Sequence, residues 1–463
     1  MKSIPVRRWL RTGPGRVGVG LTSAVVVAFI LWGVLDATSE SARGPAQTPV
    51  ASLPGAVATV TLAPGSGVAS LSKTIEPGTA SAADDEVQVC GGAWVKSGAD
   101  GRPSEEAMNA MDERATEEAV STALMAMEAS SDPRALAAAR YFRAGRAGLE
   151  AEFLSKCGGD TVCAARYERS RSQGRPQRDA LARLAQDSND PQVYAWAYRA
   201  CKGAPDADRG ACLLVSAAQW ARLDPSNAEA WLAVGDEART RSDSSAFDDA
   251  MFHVASSEHH DSGWAVLSAL MMDHVPAGDA NLFGVWGMVI QAIGIDSVGA
   301  TAWQNSARYC GAKEIADPNR RETCERMATM LVERSTTMIA RSVGTGIGKR
   351  LGWPAERLDA LARERHAEMA VQDMHAVQAS ADPFNCAGLR DQIDGLREVA
   401  HLGEIEALHR DVVATGKSVE QLALEAPRMR AERMDKLERQ QAAASAAALA
   451  SAGAASAVAL PIR

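Results

Sequence analysis

Five Asp-Pro dipeptides constrain this chain more than any other feature. They stand at Asp132-Pro133, Asp190-Pro191, Asp224-Pro225, Asp317-Pro318 and Asp382-Pro383. The residue before proline is pushed out of the α region, and proline itself fits a helix's first turn. Each dipeptide therefore punctuates helices. Between them, apolar residues recur at helical spacing. Met108, Met111, Ala115, Ala119 and Ala123 mark one stripe; Phe142, Gly145, Leu149 and Phe153 mark a second; Leu282, Val285, Val289 and Ile293 mark a third. Alanine is frequent, aromatic residues are 5% of the chain, and β-branched runs are scarce outside one N-terminal stretch. That composition disfavours a sandwich or barrel and favours an all-α fold. Antiparallel helix hairpins joined by short loops are expected, stacked as a solenoid or packed as an irregular bundle. The methionines read as core filling, since Met fits irregular gaps between helices.

The N-terminus carries a different signal. Residues 1–16 hold Lys2, Arg7, Arg8, Arg11 and Arg16 and no acid, and Val17 to Leu35 is a charge-free run. Its nineteen residues would span about 28 Å as a helix, close to the ~30 Å hydrocarbon core. Trp9 and Trp32 suit the two interfaces, and Asp36 and Glu40 follow at once. Basic residues before the span predict an N-terminus held inside and a body exported. A cleaved signal peptide is the rival, but its apolar core should be about 7–15 residues. Beyond the basic segment remain 44 basic and 58 acidic residues, a balance of about −14 in a chain of net charge −9. A body so acidic is not expected to lie flat on an anionic leaflet or to bind nucleic acid.

Composition sets the domain plan. Residues 36–85 are rich in Ala, Ser, Thr, Gly and Pro and contain little to bury. They read as a disordered linker, with an r.m.s. span of roughly 40 Å for about fifty residues. A helical domain is expected over 86–343, further helices over 344–440, and a low-complexity Ala/Ser tail over 441–463.

Trp196, Trp231 and Trp264 are spaced by 35 and 33 residues. Around the middle one, Leu223-Asp224-Pro225 is followed by Trp231, Val234, Gly235 and Ala238, then by Phe247-Asp248-Asp249-Ala250. This stretch resembles a tetratricopeptide repeat over about 190–340, with one clear unit. The resemblance implies stacked hairpins, with Gly235 at the helix crossing and Trp231 between neighbouring hairpins.

Eight cysteines form no C-x₂₋₄-C zinc pair and no C-x-x-C redox motif. Exported chains oxidise paired cysteines. Cys201 with Cys212 and Cys310 with Cys324 each bracket a polar loop where a hairpin's two chains converge. Cys157 is expected to pair with Cys163. Elimination leaves Cys90 with Cys386, which requires the two ends of the body to meet.

No catalytic constellation assembles. Val343-Gly-Thr-Gly-Ile-Gly-Lys349 lacks the first glycine of a phosphate loop, and Arg350 follows its lysine. Glycine breaks helices, so this run is expected to be a flexible joint. His259-His260-Asp261, with His253 upstream, carries no HExxH pattern. It reads as a turn with solvated histidines. His366 and His375 lie too far apart for one helix face, and no G-x-S-x-G elbow is present. No catalytic, metal or cofactor residue is assigned. The expectation is a single-pass protein of a bacterial inner membrane, N-terminus inside. It presents a disulfide-stapled helical scaffold for protein partners in the periplasm. A periplasmic helical enzyme such as a cell-wall hydrolase, or a membrane-tethered chaperone, is the alternative.

Overall fold

The computed structural model describes residues 86–90, 94–96, 105–154, 161–202, 204, 209–278, 282–299, 303–381, 386–435, 439 and 442. The basic segment, the apolar span at 17–35, the linker and all but residue 442 of the tail lie outside the described residues. Among those described, no helix is long and apolar enough to cross a membrane.

The body is helical. It opens with a short antiparallel pair that helical periodicity did not anticipate, β1 (Glu86–Gln88) and β2 (Trp94–Lys96), in register Val87 to Val95. The helices follow in chain order. They are α1 (Glu105–Ala129), α2 (Pro133–Leu154), α3 (Thr161–Gln186), α4 (Pro191–Lys202), α5 (Ala217–Leu223), α6 (Ala228–Thr240), α7 (Ser244–Ser256) and α8 (Val266–Asp273). Then come α9 (Leu282–Gly299), α10 (Trp303–Tyr309), α11 (Pro318–Glu333), α12 (Met338–Leu351), α13 (Ala355–Ala381), α14 (Cys386–Leu402), α15 (Glu404–Ala414) and α16 (419–435). They pack against one another in sequential hairpins, an arrangement compatible with a helical-repeat-like fold.

The Asp-Pro signals act as caps. Pro133, Pro191 and Pro318 each open a helix. Asp132 accepts from Arg134 N at 2.9 Å, Asp190 from Gln192 N at 2.8 Å, and Asp317 from Asn319 N at 2.8 Å. Each aspartate thus satisfies an amide that the first turn leaves unpaired. Asp224 instead ends α5, and Asn227 caps α6 by accepting from Glu229 N. Asp382-Pro383 lies outside the described residues.

Burial falls into three main clusters. The first gathers α1, α2, α4, α5, α8 and α9 around Phe142, Trp196, Met271 and Met288, and takes in Ile393 of α14. The second joins α6, α7, α11 and α12 through Leu232, Met251, Met327 and Ile347. The third packs α13 on α15 and α16 through Val371, Val412 and Leu422. The methionines expected to fill the core do so at Met127, Met251, Met271, Met272, Met288 and Met327. The second stripe fails at one place, because Leu149 is 36% exposed.

The joint expected at Val343–Lys349 is helix. It lies within α12, between the Thr337 cap and Gly352, whose φ of +83° ends the helix. Its glycines serve packing instead. A Cβ at Gly344 would stand 2.8 Å from Leu331 Cβ of α11, and one at Gly348 would overlap the Trp353 ring. Tertiary contact of this closeness outweighs the ~1 kcal/mol that a helical glycine costs.

Candidate functional site

The segment 257–264 is neither helix nor solvated turn. It runs as a strip of extended chain, pinned by backbone bonds to two other loops. Glu258 N donates to Ser226 O at 2.9 Å, and Ala228 N to His259 O at 2.9 Å. His260 N donates to Arg334 O at 3.1 Å, and Thr336 N returns to His260 O at 3.0 Å. Ile405 N then donates to Thr336 O at 3.2 Å. Asn227 closes the strip from the side. Its Oδ1 accepts from Asp261 N, and its Nδ2 donates to Asp261 O at 2.8 Å. The strip needs a left-handed backbone at Gly263 (φ +64°) and at Ala265 (φ +67°), where α8 begins.

Side chains on this junction form a buried ion network. His260 is 0% exposed, which corrects the expectation of a solvated histidine. Its Nε2 lies 3.0 Å from Glu229 Oε2. Glu229 Oε1 lies 3.6 Å from Arg199 Nη2, with the two side chains 8% and 7% exposed. Arg199 also donates to Ser262 O at 2.6 Å, and its guanidinium stands 5.6 Å over the Trp220 ring. Burial pushes the Glu229 carboxyl up, but the His260 hydrogen bond and the nearby charges outweigh it, holding the group below the ordinary carboxylate range. Asp296 of α9 faces the same arginine. Burial pushes it up to about 7, against the pull of Arg199 and the Tyr141 hydroxyl. Tyr141 is raised as well, first by burial and then by Asp296, and stacks on Trp196 at 6.1 Å.

Beside the junction lies a cavity of ≈ 120 Å³ lined by Asp261, Trp264, Thr336, His401 and Glu404, among others. Glu404 accepts from Met338 N at 2.9 Å and so satisfies the first turn of α12. Burial pushes its carboxyl up to about 7. Among the described residues no group of three His, Cys, Asp or Glu side chains is placed to hold a metal ion.

The residues picked for repeat packing separate. Gly235 and Ala238 are buried where α6 crosses α7, and a Cβ on Gly235 would stand 2.6 Å from Met251 Cε. Trp231 and Val234 are half-buried and touch both large clusters. Trp196 is fully buried within α4, whereas Trp264 precedes α8 and lines the cavity. The three tryptophans therefore occupy different structural positions despite their even spacing. Trp231 stacks on His253 of α7 at 4.0 Å with 11° between the planes. Phe252, 48% exposed, meets the same ring edge-on at 5.9 Å, and the Arg326 guanidinium covers it at 5.0 Å. Sequence reasoning missed this row, because its three rings come from two helices and its arginine from a third.

The cysteines meet in pairs. Cys201 and Cys212 lie at Cα–Cα 5.4 Å, Cys310 and Cys324 at 5.7 Å, and Cys90 and Cys386 at 4.9 Å, each with sulfurs at bonding distance. Cys163 is disulfide-bonded; Cys157 lies outside the described residues. Arg199, Glu229, Asp296 and Tyr141 carried no signal in the sequence that set them apart from other polar residues on helices. No protein-family model matches the chain, and neither a curated protein nor a solved structure matches it.

Proposed function

We propose that the chain is a single-pass membrane-anchored protein whose exported, disulfide-stapled helical body is a scaffold for protein partners in a bacterial periplasm. On this reading the hairpin α6–α7 is a divergent tetratricopeptide unit. Its Gly235 lies at the helix crossing and Trp231 at the seam between clusters. The observation that carries the reading is a contrast in access. The pair His260 and Glu229, which could exchange a proton, is closed off from solvent, and with Arg199 it ties the junction together. The row Trp231–His253–Phe252 stands at the surface, fixed by stacking and by Arg326. A rigid, partly exposed aromatic row loses little entropy on binding and suits recognition of another protein.

Crosslinking on intact membranes tests the proposal. The wild-type chain should capture a reproducible partner set. Phe252→Ala should lose it while the thermal transition stays in place. Retention of every partner by Phe252→Ala and Trp231→Ala alike would remove the aromatic row from the account. A periplasm-active reporter fused after Gln440 should be active; activity of a cytoplasm-only reporter there would sink the export argument.

A further inference from the structure

Two arginines and a histidine gather where α13 packs on α16. Arg365 and Met369 are spaced i, i+4 on α13, and His366 stands three residues before Met369, so the three side chains are neighbours on one flank of the helix. Arg430 of α16 reaches over that flank and donates to Met369 Sδ at 3.7 Å. The cations press on one another. Arg365 is held below the usual guanidinium range first by burial and then by Arg430, against the weaker pull of Glu368. His366 is lowered by burial, then by Arg365 and Arg430. The two helices are not basic in sum, but the acids within one turn of Arg365 and Arg430 are committed elsewhere. Glu364 and Glu368 pair with Arg341 of α12, and Glu368 also meets His409 of α15 at 3.1 Å. Glu432 pairs with Arg428, and further along, Asp373 pairs with Arg433. Among the described residues, Arg365, His366 and Arg430 have no ion-pair partner, and Arg365 Nε is buried without a hydrogen bond.

Like charges held together cost free energy until an anion answers them. Arg365 is half-buried, while His366 and Arg430 are exposed, so a solute can reach the group. Guanidinium forks match the oxygens of a phosphate in pairs. The two arginine charges also equal what a phosphate monoester carries near neutral pH, about −1.5 to −2. A carboxylate brings one charge and two oxygens, which leaves one arginine unanswered. In a chain of net charge −9, an extended polyanion would be repelled by the rest of the surface, so a single compact group fits better.

We propose that Arg365, His366 and Arg430 form a binding site for a phosphate monoester group, carried by a soluble molecule or by a lipid headgroup. The arginines supply paired donors, and His366 adds one at the rim. The site stands apart from the scaffold reading above and does not depend on where the chain resides. Calorimetric titration of the full chain with glycerol phosphate, near neutral pH and at low salt, supplies the test. Arg365→Gln and Arg430→Gln should each weaken binding about tenfold, the loss expected of one charge-assisted pair. Arg428→Gln, two residues from Arg430 but paired with Glu432, should leave it unchanged. In proton NMR the His366 ring should titrate higher with glycerol phosphate than with chloride, because the ligand offsets the two arginines. Equal weakening by all three variants would overturn the proposal, since general attraction would then explain the binding. A His366 titration that does not move would overturn it too, as would acetate bound as tightly as glycerol phosphate. Should Arg365→Gln fail to fold, Arg430→Gln, at an exposed position, carries the comparison with Arg428→Gln. Dioctanoyl phosphatidic acid distinguishes the sources. Tighter binding than glycerol phosphate, with dioctanoyl phosphatidylcholine silent, supports the site with a lipid headgroup as its ligand; equal affinity supports it with a soluble phosphate.

Discussion

At the scale of single residues, the junction around His260 concentrates the molecule's electrostatic cost. Arg199 stands between two carboxyl groups, Glu229 and Asp296, which burial treats differently. Glu229 has a histidine and an arginine at hand and stays ionised. For Asp296, burial outweighs the pull of Arg199 and the Tyr141 hydroxyl, and its carboxyl is pushed up to about 7 from an ordinary value of 3.8. The sign follows from linkage. A carboxyl raised on folding contributes stability that is complete below its unfolded value and lost as pH rises through the folded one. The wild-type protein should therefore lose stability to this group between about pH 4 and pH 7. Asp296→Asn should remove that loss, and urea unfolding of both proteins across the window measures it. Glu404 titrates in the same sense, so the difference between the two curves isolates Asp296. Parallel curves would show that Asp296 is not the group responsible. His260→Ala should act in the opposite direction, leaving Glu229 and Arg199 buried with a broken network. Leaving a buried group without its hydrogen-bond partner costs about 1–3 kcal/mol, and more where that group is charged. A change within ~0.5 kcal/mol, the range of ordinary surface substitutions, would count against the network.

At the scale of elements, glycine decides how closely helices cross. Gly284 and Gly287 of α9 lie against Ala115 and Thr116 of α1, where a Cβ would overlap a carbonyl and a hydroxyl respectively. Gly346 of α12 has nothing within 4 Å. Both Gly284 and Gly346 sit in helices, so alanine offers each the same propensity gain of up to ~1 kcal/mol. The contacts set the sign. Gly346→Ala should stabilise by about 0.5–1 kcal/mol. Gly284→Ala should destabilise by about 1–3 kcal/mol, since the obstacle is backbone and cannot turn aside. Melting of the two variants beside wild type checks the pair, and a stabilised Gly284→Ala would mean that α9 and α1 are further apart than described. The same reasoning explains why the run Val343–Lys349, which reads as a joint, is helical. Gly344 and Gly348 in it face Leu331 and Trp353.

At the scale of the whole molecule, the Cys90–Cys386 pair joins residues 296 apart, whereas Cys201–Cys212 joins residues 11 apart. In the chain-entropy account a cross-link stabilises by restricting the unfolded chain, and more so for a longer loop. Replacing Cys90 and Cys386 by serine should cost about 5 kcal/mol, against about 3 kcal/mol for the Cys201–Cys212 pair. Thermal unfolding of the two double variants under oxidising conditions ranks them, and equal losses would show that the long link closes no independent loop. The closure also fits the packing. Ile393 of α14 is buried in the first core, where α14 packs on α8 and α9, so this helix does not trail from it.

What the sequence determined by itself is local. Helix starts at Pro133, Pro191 and Pro318 were legible because capping and proline geometry act within one turn. The short cysteine pairs were legible because a hairpin brings its own ends together. The all-α character followed from spacing and composition. Burial was not legible in this way, because it depends on contacts between residues far apart in the chain. Nothing near Arg199 announces that Glu229 and Asp296 converge on it, as the three come from α4, α6 and α9. Nothing near Leu149 announces that it emerges at the surface. Apolar spacing shows that a helix has a buried side, but which residues that side covers is decided by the neighbours that arrive from elsewhere.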